Sequence, residues 1–325
     1  MGDIHDLVLR HGVQKARDMV PPAERHLVDI AADLLADEND ALAITYAGFC
    51  LTSLPHRALK DDNACWQRSN GRFTLLVEPG KIFEGRRYVH YGIPYGSRAR
   101  LILLYLQTRA LQTGSRRVEL GRSMYHWMGR LGIAVGGKSY EQVRNQARRL
   151  SSCRLTVGWA GEDGSEGFAR ENLVSGMLTM PADNDGRQGQ LWTDEAELTE
   201  TFMRALVSHP VPVLESAVRR ISNQSMALDI YVWLSYRLRS LSKPTPVRWA
   251  ALQAQFGPEF SSLKNFRQHF RNALKEALAV YPDASIDVTP RGLLLRPSAP
   301  PVPERRPRSL ALTGGGHDRK RALAS

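Results

Sequence analysis

Cysteine is scarce in this chain: Cys50, Cys65 and Cys153 are three among 325 residues, widely separated and odd in number. That excludes a disulfide framework and a zinc knuckle of CxxC type, and it fits a reducing cytoplasm. Long apolar runs are also missing. The longest, Leu101 to Leu106, is far short of the ~20 residues that span a bilayer. The opening MGDIHDLVLR has neither a basic n-region nor an apolar core, so neither membrane nor export is expected. No two of the nine histidines stand as His-x-His, which removes the metal-binding pair of a rolling-circle nickase, and no metal or cofactor is expected. Acid is unevenly missing. Residues 98–154 hold twelve Lys and Arg against two Asp and Glu, and residues 237–308 hold thirteen against five, whereas residues 155–236 hold five against twelve. The net charge of +11 is therefore gathered in two blocks, which points to two positive surfaces and a polyanionic partner.

What is present is a repeat. Ser97 to Trp159 and Ser225 to Val288 lay on one another as the same series of elements. Each opens with a helix, RARLILLYLQTRAL (98–111) or MALDIYVWLSYRL (226–238), and continues with a short extended piece, Arg117 to Glu119 or Thr245 to Val247. A second helix ends at Gly132 or Gly257, where glycine permits the left-handed residue that stops a helix. A third helix runs from Ser139 or Ser261, and an alternating hairpin follows. This is the winged-helix order. The expected fold is α+β and mainly helical, with tandem winged-helix domains. Residues 1–43 form a helical arm of two short helices for docking or oligomerisation. Residues 44–97 are a collar of turns and short strands, 98–208 and 209–298 the two winged-helix domains, and 299–325 a disordered, basic, Pro/Gly-rich tail.

On a helical wheel the third helices separate cleanly. In the first, Val143, Ala147 and Leu150 form the apolar stripe, opposite Glu141, Asn145, Arg148 and Ser152 with Arg144 and Arg149 beside them. In the second, Phe266, Phe270 and Ala273 form the stripe, opposite Lys264, Gln268, Arg271 and Lys275 with Arg267 beside them. An offset of 123 residues relates Asn145 to Gln268 and Arg148 to Arg271. Asn or Gln reaches adenine and Arg reaches guanine in the major groove. One such helix is ordinarily just a solvated amphipathic face; two matching ones in the two basic blocks favour double-stranded DNA. Lys138, Arg144, Arg149, Arg267 and Arg291, the last at the second hairpin's turn, are expected at phosphates.

Enzymatic alternatives are weaker, and the chain is not expected to be an enzyme. Gly132 to Ser139 satisfies the phosphate-loop pattern GxxxxGK[ST]. That loop needs a buried strand before it, and Gly121 to Leu131 has helical spacing instead. The acidic run Asp194, Glu195, Glu197, Glu200 reads as a helix start, where acids favour the dipole, rather than as a metal site. Trp127, Trp233 and Trp249 fall in apolar patterns and are assigned to the core.

Several phrases together resemble the RepA-type plasmid replication initiators over about residues 44 to 298. They are Leu54-Pro55-His56-Arg57, Gly71-x-Phe73-Thr74-Leu75, Gly92-Ile93-Pro94-Tyr95-Gly96 with Arg98-x-Arg100, Glu119-Leu120-Gly121-Arg122-Ser123, Gly136-Gly137-Lys138, and Ala227-Leu228-Asp229-Ile230-Tyr231-x-Trp233-Leu234. The resemblance implies binding to repeated origin sites, opening of the adjacent duplex and recruitment of a host replication initiator and replicative helicase. It also implies a homodimer that represses its own gene. A transcriptional repressor without a replication role is the alternative, with a phosphate-loop ATPase behind it.

Overall fold

A computed structural model of the chain describes residues 3–37, 41–70, 73–84, 86–120, 124–160, 166–174 and 195–302. It is mixed helix and sheet, about half helical. Three helices come first, α1 (Asp3–His11), α2 (Val13–Met19) and, after a 3-10 turn at Pro22–Glu24, α3 (Arg25–Leu35). The sequence suggested two helices here; Gly12, at φ +75°, divides the first. This arm does not project. His5 donates from Nε2 to the Ala279 carbonyl at 2.9 Å, His26 meets Glu276 at 2.8 Å and Glu24 meets Lys275 at 2.5 Å, so the arm lies on the helix that ends at Ala279.

The collar is drawn into neighbouring elements. Strand β1 (Leu42–Tyr46) is followed by α4 (Ala47–Leu51), β2 (Trp66–Asn70), β3 (Phe73–Glu78) and the hairpin β4 (Gly80–Glu84) and β5 (Arg87–Tyr91). The first basic block then supplies α5 (Gly96–Thr113), β6 (Arg117–Glu119), α6 (Met124–Arg130), α7 (Gly137–Ser152), β7 (Arg154–Ala160) and β8 (Glu166–Asn172). Strands β2 and β3 extend the β7–β8 hairpin into a sheet ordered β2-β3-β7-β8. The expected two-stranded wing is therefore four strands wide, because β3 and β7 are apolar on alternate positions and share a core with α5 and α7. The return strand ends at Asn172; the part expected to run on to Met180 lies outside the described residues from 175 on.

Next come β9 (Glu195–Glu197), α8 (Glu200–Ser208), β10 (Pro210–Leu214) and α9 (Glu215–Arg220). Glu195 and Glu197 lie in a strand paired with β6, not in the first turn of a helix as the acidic spacing suggested. The helix begins later, at Glu200, where the Thr199 hydroxyl accepts from the Phe202 amide. This capping residue fixes the start and the acids upstream do not. Strand β10 returns to pair with β1.

The second basic block gives α10 (Ser225–Arg237), a 3-10 turn at Leu238–Ser240, β11 (Thr245–Arg248), α11 (Trp249–Phe256), α12 (Leu263–Ala279), β12 (Ile286–Thr289) and β13 (Gly292–Leu295). Its sheet is ordered β11-β13-β12, so the first strand pairs with the last. In the first block the matching strand, β6, pairs with β9 instead. Gly132 and Gly257 also part company. Gly132 has φ +67°, the left-handed conformation expected, but Gly257 is extended at φ −164°. What keeps Gly257 a glycine is space: a Cβ would stand 2.7 Å from the rings of Phe260 and Phe266.

Helices α5 and α10 pack together at the centre and are buried around most of their circumference. Trp127, Trp233 and Trp249 are buried, as their apolar settings predicted. Among the described residues no helix is long and apolar enough to cross a membrane. Of the tail, Ala299 accepts a hydrogen bond from the Tyr281 hydroxyl at 2.7 Å and Val302 is buried; residues 303–325 lie outside the described residues.

Candidate nucleic-acid interface

Helix α12 buries Phe266, Phe270, Leu274 and Ala277 against the core, while Ala273 is partly covered. That leaves Lys264, Gln268 and Arg271 exposed on the opposite face. Trp249, buried at the start of α11, sets the neighbours. Its Nε1 donates to the Thr289 carbonyl at 3.3 Å, its backbone N donates to the Arg291 carbonyl at 3.2 Å, and the Arg267 and Arg271 guanidiniums lie 5.5 and 5.4 Å from its ring. The β12–β13 turn is thereby tied to the helix. Gly292 makes the tie close: a Cβ there would stand 1.9 Å from the Val247 carbonyl oxygen. Arg248, directly opposite Gly292, and Arg291 both end exposed beside the helix. Sequence reasoning missed Arg248. A clue lay in its place immediately before Trp249, whose ring anchors the other arginines.

Four arginines, Arg248, Arg267, Arg271 and Arg291, thus gather about one buried indole, Lys264 stands farther along the exposed face of α12, and none of the five forms an ion pair with a described residue. Lys275 is different. It was assigned to this face, but one turn farther on it meets Glu24 of the arm at 2.5 Å.

Helix α7 buries the predicted stripe, Val143, Ala147 and Leu150, but the rest of it is not laid open. The collar covers much of its polar side. The Gln146 side chain accepts from the Tyr95 amide at 2.8 Å. Arg149, 11% exposed, donates to Asn145 Oδ1 at 2.8 Å, to Asp62 Oδ1 at 3.0 Å and to the Ile93 carbonyl at 3.2 Å. Arg148 lies over the Tyr91 ring at 5.8 Å, and Arg144 is partly buried. Gln146 and Arg149 therefore hold the collar to α7 in this structure, and Asn145 accepts from Arg149 within the helix, rather than these polar groups facing solvent as the wheel suggested. Lys138, in the first turn, is exposed. A helix, α6, leads to Gly132 where a phosphate loop requires a strand, so the glycine-rich stretch is a turn between helices.

The two halves meet at a buried ion pair. Arg100 on α5, 7% exposed, donates from Nε and Nη2 to the two carboxylate oxygens of Asp229 on α10, each at 2.6 Å. Its remaining donors reach the carbonyls of Leu54 at 2.6 Å, Gly96 at 2.8 Å and Pro55 at 3.2 Å. His56 closes the group. Its Nε2 donates to the Phe256 carbonyl at 2.9 Å, leaving Nδ1 as an acceptor 3.0 Å from the Ser225 hydroxyl. Burial, and then the Arg100 charge, push its pKa down to about 4. Three of the phrases noted in the sequence, around His56, Arg100 and Asp229, are thus one site in space.

A family model described as plasmid-encoded RepA protein matches residues 93–251. Over that span, just under half of its length, the chain is similar to the plasmid-encoded RepA family. The matched region begins at the collar's junction with α5, contains α7 and both members of the Arg100–Asp229 pair, and stops at the start of α11. Two crystal structures of domains 2 and 3 of RctB are similar to this chain. One is 13% identical and covers 72% of this chain and 84% of its own at a TM-score of 0.47; the other is 14% identical and covers 70% and 82% at 0.45. No curated protein matches.

Proposed function

We propose that this chain is a RepA-type replication initiator that binds repeated sites in double-stranded origin DNA, and that α12 with the β12–β13 turn forms its principal reading surface. The observation that carries this is the group of four arginines about Trp249, with Lys264 farther along α12, all unpaired among the described residues, and with Gln268 exposed on the same helix. A winged-helix unit presents such a helix to the major groove and its hairpin to the adjoining backbone. In that pose Gln268 and Arg271 read base edges, while Arg248, Lys264, Arg267 and Arg291 hold phosphates. The first block contributes Lys138 and the helix start behind it as a phosphate contact. The Arg100–Asp229 joint fixes the spacing of the two blocks on one face of the duplex. Origin opening, recruitment of a host initiator and helicase, and a homodimer that represses its own gene belong to the same proposal. So does action without cofactor or enzymatic activity in the cytoplasm.

The test is a salt-series titration of the full chain against its origin repeat and against random duplex, with footprinting. A protected repeat, and a log affinity that falls steeply with log salt, support the proposal. Equal affinity for both duplexes overturns base reading. Maintenance of a plasmid that has this chain as its sole initiator separates initiation from repression; failure of maintenance with repeat binding intact leaves a repressor.

A further inference from the structure

The β4–β5 hairpin has no part in that function. Its strands pair with Phe83 opposite Tyr88 and Ile82 opposite Val89. Side chains alternate between the two faces of a strand, and here the faces differ in chemistry. Ile82 is buried where β4 packs on α7, and a Cβ on Gly80 would stand 1.9 Å from the Ser152 carbonyl oxygen, so the hairpin is rooted closely on the helix. The other face carries Lys81, Phe83, Tyr88 and His90. Phe83 and Tyr88 are 56% and 73% exposed, and their rings meet edge to face at 5.4 Å. Lys81 is exposed on the same face and Arg86 in the turn beside it, while Arg87, opposite Glu84, falls on the Ile82 face; residues 80–91 hold three Lys and Arg against one acid, Glu84.

Single exposed apolar residues need no explanation, but a paired aromatic platform flanked by cations has a natural ligand. Bases in a duplex are stacked already and offer only their edges in the grooves. Unpaired bases offer faces, which stack on aromatic side chains with little regard to sequence while cations follow the phosphates. The aromatic pair lies on the flat of the hairpin, not at its tip, which suits stacking better than the wedging of a side chain between base steps. We propose that the outward face of β4–β5 is a binding site for single-stranded DNA, with Phe83 and Tyr88 stacking on unpaired bases and Lys81 and Arg86 holding their phosphates. The site shares no residue with the α12 surface, so the two proposals stand or fall separately.

Fluorescence anisotropy of the full chain with labelled oligothymidine tests it, alongside the duplex repeat. The wild-type chain should bind the oligomer. Phe83→Ala with Tyr88→Ala should weaken that binding by about tenfold or more, leave duplex binding unchanged and leave the melting temperature in place, since both side chains are exposed. Replacing Lys81 and Arg86 by Ala should reduce the salt slope for the oligomer by about 1.4. Absence of wild-type binding to oligothymidine, or equal loss on both DNAs in the aromatic variant, overturns the proposal. Photo-crosslinking of the wild-type chain to a bromodeoxyuridine oligomer gives a readout free of any folding defect. Adducts at Phe83 or Tyr88 support the site, and adducts confined to other segments overturn it.

Discussion

Helices α7 and α12 carry similar side chains at matching positions and keep them in different company. Arg271 and Gln268 face outward, whereas Arg149 is engaged by the collar and Asn145 by Arg149, with Arg149 11% exposed and bonded to Asp62 and the Ile93 carbonyl. A wheel identifies which side of a helix is polar; it does not say whether that side meets solvent or another segment of the chain. Here the covering segment comes from 62 and 90–95: Ile93 meets Arg149 and Tyr95 meets Gln146, each partner more than fifty residues upstream. The chain therefore has one helix with an open polar face and one bound into the body. The variants below test that asymmetry in decreasing order of effect.

The largest effect is expected at the joint that holds the two helices in one body. Arg100→Ala leaves Asp229 buried without its partner and strips three carbonyls of a donor. Removing one member of a buried pair costs ~3–5 kcal/mol, to be read by urea unfolding. Replacing both members by apolar residues of similar volume should recover much of that loss. If the single and double variants are equally unstable, it is the carbonyls, and not the charge pair, that Arg100 serves.

The same joint predicts an acid-sensitive stability. His56 is held neutral down to about 4, while in the unfolded chain it protonates near 6.5. Above 6.5 both states are neutral and nothing is lost. As pH falls from 6.5 toward 4 the unfolded state binds the proton and the folded state does not, so stability declines at ~1.4 kcal/mol per pH unit from this group, and levels off below its folded pKa. The difference between wild type and His56→Gln across that window isolates the histidine. A constant difference would show that His56 does not titrate with unfolding.

Much of this was legible in the sequence and some was not, for physical reasons. The apolar stripes of α7 and α12, the tryptophans and the order of elements in both blocks were visible, because burial and periodicity are local properties. Strand partners were not: β6 pairs with β9 and β3 with β7 across long stretches of chain, and a period of two names no partner. Arg98-x-Arg100 looked like surface charge. Yet Arg100 stands three and four residues before Leu103 and Leu104, on the side of α5 that is buried, and that spacing was the available sign of an internal arginine. Lys275 gave no sign at all, since its partner Glu24 belongs to the arm.

On the open helix, Arg271→Ala should cost ~1–3 kcal/mol of affinity for the cognate repeat and much less on random duplex. Titration of both DNAs distinguishes a base-reading arginine from one that only meets phosphate: in the second case the two losses are equal.

The smallest effect is expected on the covered helix, and it is the most diagnostic of the comparison. Arg149→Ala removes the bond to Asp62, whose side chain is 55% exposed, so solvent screening leaves that contact worth ~1 kcal/mol or less. Stability should fall by about that amount, while affinity for the duplex repeat stays where it was, because the guanidinium faces the collar and not the DNA. Asp62→Ala should behave alike, and the two together should lose less than their sum, as partners in one contact do. Suppose instead that Arg149→Ala weakens duplex binding as Arg271→Ala does, and that Asp62→Ala strengthens it. Then the collar lifts from α7 when DNA arrives, freeing Arg149 and Asn145, and the asymmetry between the helices belongs to the unbound chain alone.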